Sequence, residues 1–60
     1  MKTIRIHLED LSYVDYAASD DQIEEFRSWL RFANQTDTFH LAGLDQEVMR
    51  KDIATIETLR

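Results

Sequence analysis

The sequence predicts an α+β fold: a small antiparallel sheet with one packed helix, in the order β-β-α-β-β-β. Three observations carry that prediction. Residues 3–8 alternate strictly between polar and apolar, Ser19-Asp20-Asp21-Gln22 spells a helix-capping box, and residues 53–59 are rich in β-branched side chains.

In Thr3-Ile4-Arg5-Ile6-His7-Leu8, the apolar residues Ile4, Ile6 and Leu8 share one face, as a half-buried strand requires. Glu9-Asp10-Leu11 breaks the alternation and predicts a turn. Residues 12–17, with Tyr13, Val14 and Tyr16, resume a β-like composition, so the first two strands are expected to form a hairpin. Ser19 then caps a helix, with Gln22 able to reach back to the Ser19 amide. Acids in the first turns (Asp20, Asp21, Glu24, Glu25) and bases in the last (Arg27, Arg31) suit the backbone dipole. At about 100° per residue, Ile23, Phe26, Leu30 and Ala33 form the core stripe. Trp29 lies on its rim and Phe32 points away from it, beside Asp21, Glu25 and Ser28. Asn34 is the expected helix stop and 35–37 a polar loop. Thr38-Phe39-His40-Leu41-Ala42 alternates again, and Gly43 marks the next turn. Two readings compete for the rest. A helix over 46–59 would gather Val48, Met49, Ile53, Ile56 and Leu59 on one arc, giving β-β-α-β-α. Ile53, Thr55, Ile56 and Thr58 are β-branched, which favours strands 47–50 and 53–59 joined through Lys51-Asp52.

With 60 residues, one domain spanning 1–60 is expected, near the lower limit for folding alone because so short a chain buries only about 60% of its unfolded surface. The 43% hydrophobic content is that of a folding chain. There is no cysteine, which excludes disulfides and thiolate zinc sites and makes a partner or a second copy of the chain the expected support. No apolar run approaches the roughly 20 residues of a membrane span. Met1 to Arg5 lacks the apolar stretch of a secretory signal, so a cytoplasmic location with no membrane contact is expected.

The net charge of -5 is unevenly spread. Lys2 and Arg5 open the chain. Positions 6–26 carry no Lys or Arg but hold Glu9, Asp10, Asp15, Asp20, Asp21, Glu24 and Glu25, and acids balance bases from Arg27 onward. Helix capping and the dipole account for the acids from Asp20 to Glu25, leaving Glu9, Asp10 and Asp15 without a local reason.

No catalytic, metal or cofactor residues are expected. Catalysis needs a nucleophile beside a base, and Ser12, Ser19 and Ser28 read as turn, cap and polar-face residues. His7 and His40 would meet only if their strands were neighbours, with Glu9 or Asp10 completing a metal site, and their spacing matches no ligand motif. The acids do not fall at the positions of a calcium loop, and one glycine cannot build a phosphate loop.

The sequence therefore points to a small acidic, non-enzymatic protein-interaction module. It would act as an inhibitor or regulator by docking to a macromolecular partner with a basic surface, and homo-oligomerisation fits the same size argument. The candidate contacts are the aromatics Trp29 and Phe32 with the acids Glu9, Asp10, Asp15, Asp21, Glu24 and Glu25. The alternative is direct nucleic-acid binding through Arg27, Arg31, Arg50 and Lys51, which the net charge opposes.

Overall fold

A computed structural model describes residues 1–59 and carries the predicted order, with one helix and five strands. Alternation in the first segment yields β1, Lys2–Leu8, with Ile4 and Ile6 fully buried between more exposed neighbours. Strand β2, Tyr13–Ala18, returns antiparallel and turns Val14, Tyr16 and Ala18 inward. The hairpin turn places Leu11 in the left-handed region at φ 73°. Asp10 stabilises that turn by accepting from the Ser12 amide and hydroxyl.

Helix α1, Asp20–Phe32, starts on the predicted capping box. Ser19 Oγ accepts from the Gln22 amide, and Gln22 Oε1 accepts from the Ser19 amide at 3.0 Å. The helix stops one residue earlier than expected: Ala33 is already extended (φ -70°, ψ 145°). Asn34 does not take a left-handed backbone. It closes a turn with Asp37 instead, the Asn34 amide donating to Asp37 Oδ2 and the Asp37 amide to the Asn34 carbonyl, both at 3.0 Å.

The remaining strands are β3 (Thr38–Leu41), β4 (Gln46–Met49) and β5 (Ile53–Leu59), with a 3₁₀ turn over Arg50–Asp52 between the last two. Gly43 (φ 85°) and Asp45 (φ 50°) bend the β3–β4 connection. The segment 46–59 is thus two strands joined by the 3₁₀ turn, and the helical alternative does not occur. The strand partners differ from those expected, because β4 pairs with β3 while β5 crosses to β1. Two antiparallel sheets result, β2-β1-β5 and β3-β4.

A slip in register explains why β5 reads partly as a helix. Ile53 faces Leu8 while Thr55 already faces His7, so Ala54 is an extra residue. The bulge lets Ile53 and Ile56, three apart, both face inward: Ile53 is buried and Ile56 half buried against the core. That core lies between α1 and the inner faces of both sheets, centred on Ile4, Ile6, Tyr16, Ile23, Phe26, Leu41 and Val48. No helix among the described residues is long and apolar enough to cross a membrane.

Candidate functional site

Helix α1 presents three sides. Ile23 and Phe26 are buried in the core, with Leu30 half buried beside them. Trp29 extends this side: its ring stacks on Phe26 (centroids 5.7 Å apart, planes at 29°) and meets Phe39 at 5.3 Å, leaving it half buried. Packing accounts for Trp29. Phe32 has no such role, since it is 77% exposed at the end of the helix. By helical geometry it shares an outer stripe with Asp21, Glu25 and Ser28, which lie within about 60° of one another.

The eight candidate contact residues do not form one surface. Glu9 and Asp10 sit in the β1–β2 turn, where the Glu9 amide donates to the Asp52 carbonyl at 2.8 Å. Asp10 is held below the usual carboxylate range by the hydrogen bond from the Ser12 hydroxyl and then that from the Ser12 amide. Asp15 lies on the outer face of the three-stranded sheet, turned away from the helix by the alternation that buries Tyr16. There it pairs with Arg5, whose hydrogen bond lowers the Asp15 pKa and raises that of Arg5. Glu24 faces a polar groove of about 330 Å³ shared with Lys2, Asp20, Arg27 and Thr58. Of the eight, Asp21, Glu25 and Phe32 share one helical stripe, with Glu25 about 10 Å and Asp21 about 16 Å from Phe32 along the axis, toward the helix N-terminus.

The bases behave in the opposite way. Arg27 and Arg31 lie one turn apart on α1, and the chain brings Arg50 beside them from the far side of the β3–β4 hairpin. The Arg50 amide donates to the Asp37 carbonyl at 2.8 Å and the Lys51 amide to the Gln35 carbonyl at 3.0 Å, tying the 3₁₀ turn to the loop after the helix. Arg50 Nε then reaches the Leu30 carbonyl at 3.0 Å, satisfying one of the acceptors left open at the helix C-terminus. Arg27 donates to Thr58 Oγ1 at 2.8 Å. Arg27, Arg31 and Arg50, with Leu30 and Ile56, line one shallow groove of about 340 Å³, and Lys51 does not line it. None of these four bases forms an ion pair with a carboxylate among the described residues; the pairs present are Lys2–Asp20, Arg5–Asp15 and His7–Glu57. Sequence reasoning named all four bases but held no local signal for their convergence, which depends on contacts across 20 residues of chain.

The histidines stay apart. His7 Nε2 lies 3.1 Å from Glu57 Oε1 on the outer face of the three-stranded sheet, while His40 is in the other sheet, opposite Glu47. Among the described residues no three His, Asp or Glu side chains gather into a metal-binding group.

No protein-family model, curated protein or solved structure matches the chain.

Proposed function

We propose that this protein is a small non-enzymatic docking module that binds a protein partner through the outer stripe of α1, acting as a regulator or inhibitor of that partner. The observation that carries the reading is Phe32. A phenylalanine 77% exposed on a short, well-capped helix has no packing role, and aromatic side chains of this kind anchor the centres of protein interfaces. Asp21 and Glu25 lie further along the same stripe, both toward the helix N-terminus. They make the N-terminal part of the stripe acidic, so the complementary surface is an apolar pocket for Phe32 with Lys or Arg placed about two to three helical turns away from it. A cytoplasmic setting suits a chain without cysteine.

Glu9, Asp10 and Asp15 take no part in this reading, because Asp10 accepts from Ser12 in the hairpin turn, Asp15 is paired with Arg5, and Glu9 sits in the same turn rather than on α1. Direct nucleic-acid binding through Arg27, Arg31, Arg50 and Lys51 is the weaker reading. Three clustered bases neutralise few phosphates, and the net charge of -5 repels a polyanion.

A photo-crosslinking residue placed at position 32 in the native host should capture one partner. The partner's affinity should then fall at least about tenfold from wild type to Phe32→Asp, and the wild-type affinity should weaken as salt is raised. Sedimentation at several concentrations separates a second copy of the chain from a foreign partner. An affinity unchanged by Phe32→Asp would overturn the proposal.

A further inference from the structure

The geometry points to a second binding site, distinct from the Phe32 stripe: the groove of Arg27, Arg31 and Arg50 receives a phosphomonoester dianion carried on a phosphorylated side chain of a protein partner. Three arginines line one depression that no Asp or Glu lines, and among the described residues none of the three forms an ion pair, in a chain that has an excess of carboxylates. Neutral acceptors hold two of them in place. Arg27 spends one N–H on Thr58 and Arg50 spends its Nε–H on the Leu30 carbonyl, so each keeps further donors for a ligand. Pre-positioned guanidinium groups match the planar, multidentate demand of phosphate oxygens, and three positive charges suit a dianion better than a single carboxylate.

The groove also selects the carrier. Its floor is apolar, formed by Leu30 and Ile56, and its volume of about 340 Å³ fits one anionic group with a short apolar flank. A nucleic-acid strand would need a continuous basic track, whereas here Lys51 lies off the groove and acids dominate the rest of the chain. A phosphorylated residue next to an aliphatic one meets both features.

The test uses a short synthetic peptide carrying one phosphoserine between two leucines, titrated into 15N-labelled full-length protein. The Nε–Hε signals of Arg27 and Arg50 should shift saturably, while that of Arg5, engaged by Asp15, stays in place. The same peptide with serine or glutamate in place of phosphoserine should bind at least about tenfold more weakly. Lowering the pH from about 7.5 to about 5.5 should weaken the phosphopeptide, because the phosphate takes up its second proton near pH 6. Arg31 makes no ion pair or side-chain hydrogen bond among the described residues, so Arg31→Gln should leave the fold intact and cut the affinity about fivefold or more. Phe32→Ala, which adds no charge beside Arg31, should change it less than about twofold, which separates this site from the docking stripe. Equal binding of the serine peptide, no effect of Arg31→Gln, or tighter binding of a thymidine dodecamer than of the phosphopeptide would each overturn the proposal.

Discussion

Arg5 holds Asp15 across the β1–β2 pair through two parallel hydrogen bonds, Nε to Oδ1 at 2.8 Å and Nη2 to Oδ2 at 3.1 Å. The two residues are direct cross-strand partners on the outer face of the sheet, and the Arg5 guanidinium also lies 4.1 Å from the centre of the Tyr13 ring. Asp15 therefore has a structural purpose that neither helix capping nor a binding partner needs to supply. It pins the hairpin register on the face that the core does not reach.

That pairing makes stability depend on pH. The Asp15 carboxyl has a lower pKa in the folded chain than in the unfolded one. Its contribution is therefore complete above the unfolded value of about 3.9 and is lost as pH falls through the folded value. Asp10, lowered by Ser12, acts in the same direction. Melting temperature followed from neutral pH to about pH 2 should fall below about pH 4. Asp15→Asn should be less stable at neutral pH and should show a flatter acid limb, with the remaining slope reduced again by Asp10→Asn.

The β1–β2 turn carries a removable cost. Leu11 is 94% exposed, so it packs against nothing, yet its φ of 73° puts a branched side chain in the left-handed region. Leu11→Gly and Leu11→Asn should each raise stability by about 0.5–1 kcal/mol, read from the urea midpoint. Leu11→Val should lower it, since branching at Cβ tolerates that backbone least.

Elements specified by near neighbours could be read directly from the sequence, as in the alternation of Ile4, Ile6 and Leu8 and the Ser19–Gln22 box. Phe32 was equally legible, because helical phase alone directs it outward. Partner choice was not. The assignment of β4 to β3 rather than to β5 depends on which strand lies beside β1, and the Ala54 bulge disguises β5 by giving Ile53 and Ile56 a helical spacing. The arginine groove was hidden for the same reason: Arg50 reaches Leu30 only once the 3₁₀ turn has docked on Gln35 and Asp37. The acidic block misled in the other direction, because residues contiguous in sequence were dispersed over a turn, an outer sheet face and two sides of a helix.

Phe26 is the keystone of the core. It is fully buried, and its ring centre lies 6.1 Å from that of Tyr16, 5.7 Å from Trp29 and 5.1 Å from Phe39, so it joins the hairpin, the helix and the second sheet. Phe26→Ala should cost about 3–5 kcal/mol, against a total of about 3–9 kcal/mol at the usual stability per residue. The loss is at least about a third of that total, so the urea midpoint should fall by about a third or more. Phe26→Leu should stay folded at a cost of about 1 kcal/mol. Trp29 emission, red-shifted on exposure, reports both outcomes.

The capping box offers a test of coupling within the helix start. Ser19 and Gln22 satisfy each other's backbone amides, at 3.3 Å from the Gln22 amide to Ser19 Oγ and 3.0 Å from the Ser19 amide to Gln22 Oε1. A further contact of 3.2 Å joins Ser19 Oγ to Gln22 Oε1. Ser19→Ala should destabilise by about 1 kcal/mol, since it leaves a helix-terminal donor to water. Gln22→Ala should cost less, because the Ser19 amide it frees lies at an exposed position. The side chains also contact each other, so removing either weakens what the other contributes. The double variant should therefore cost less than the two single losses added together, by an amount measurable as a shortfall in the urea midpoint shift. Strict additivity would mean that each side chain caps its own amide independently, with the contact between them contributing nothing.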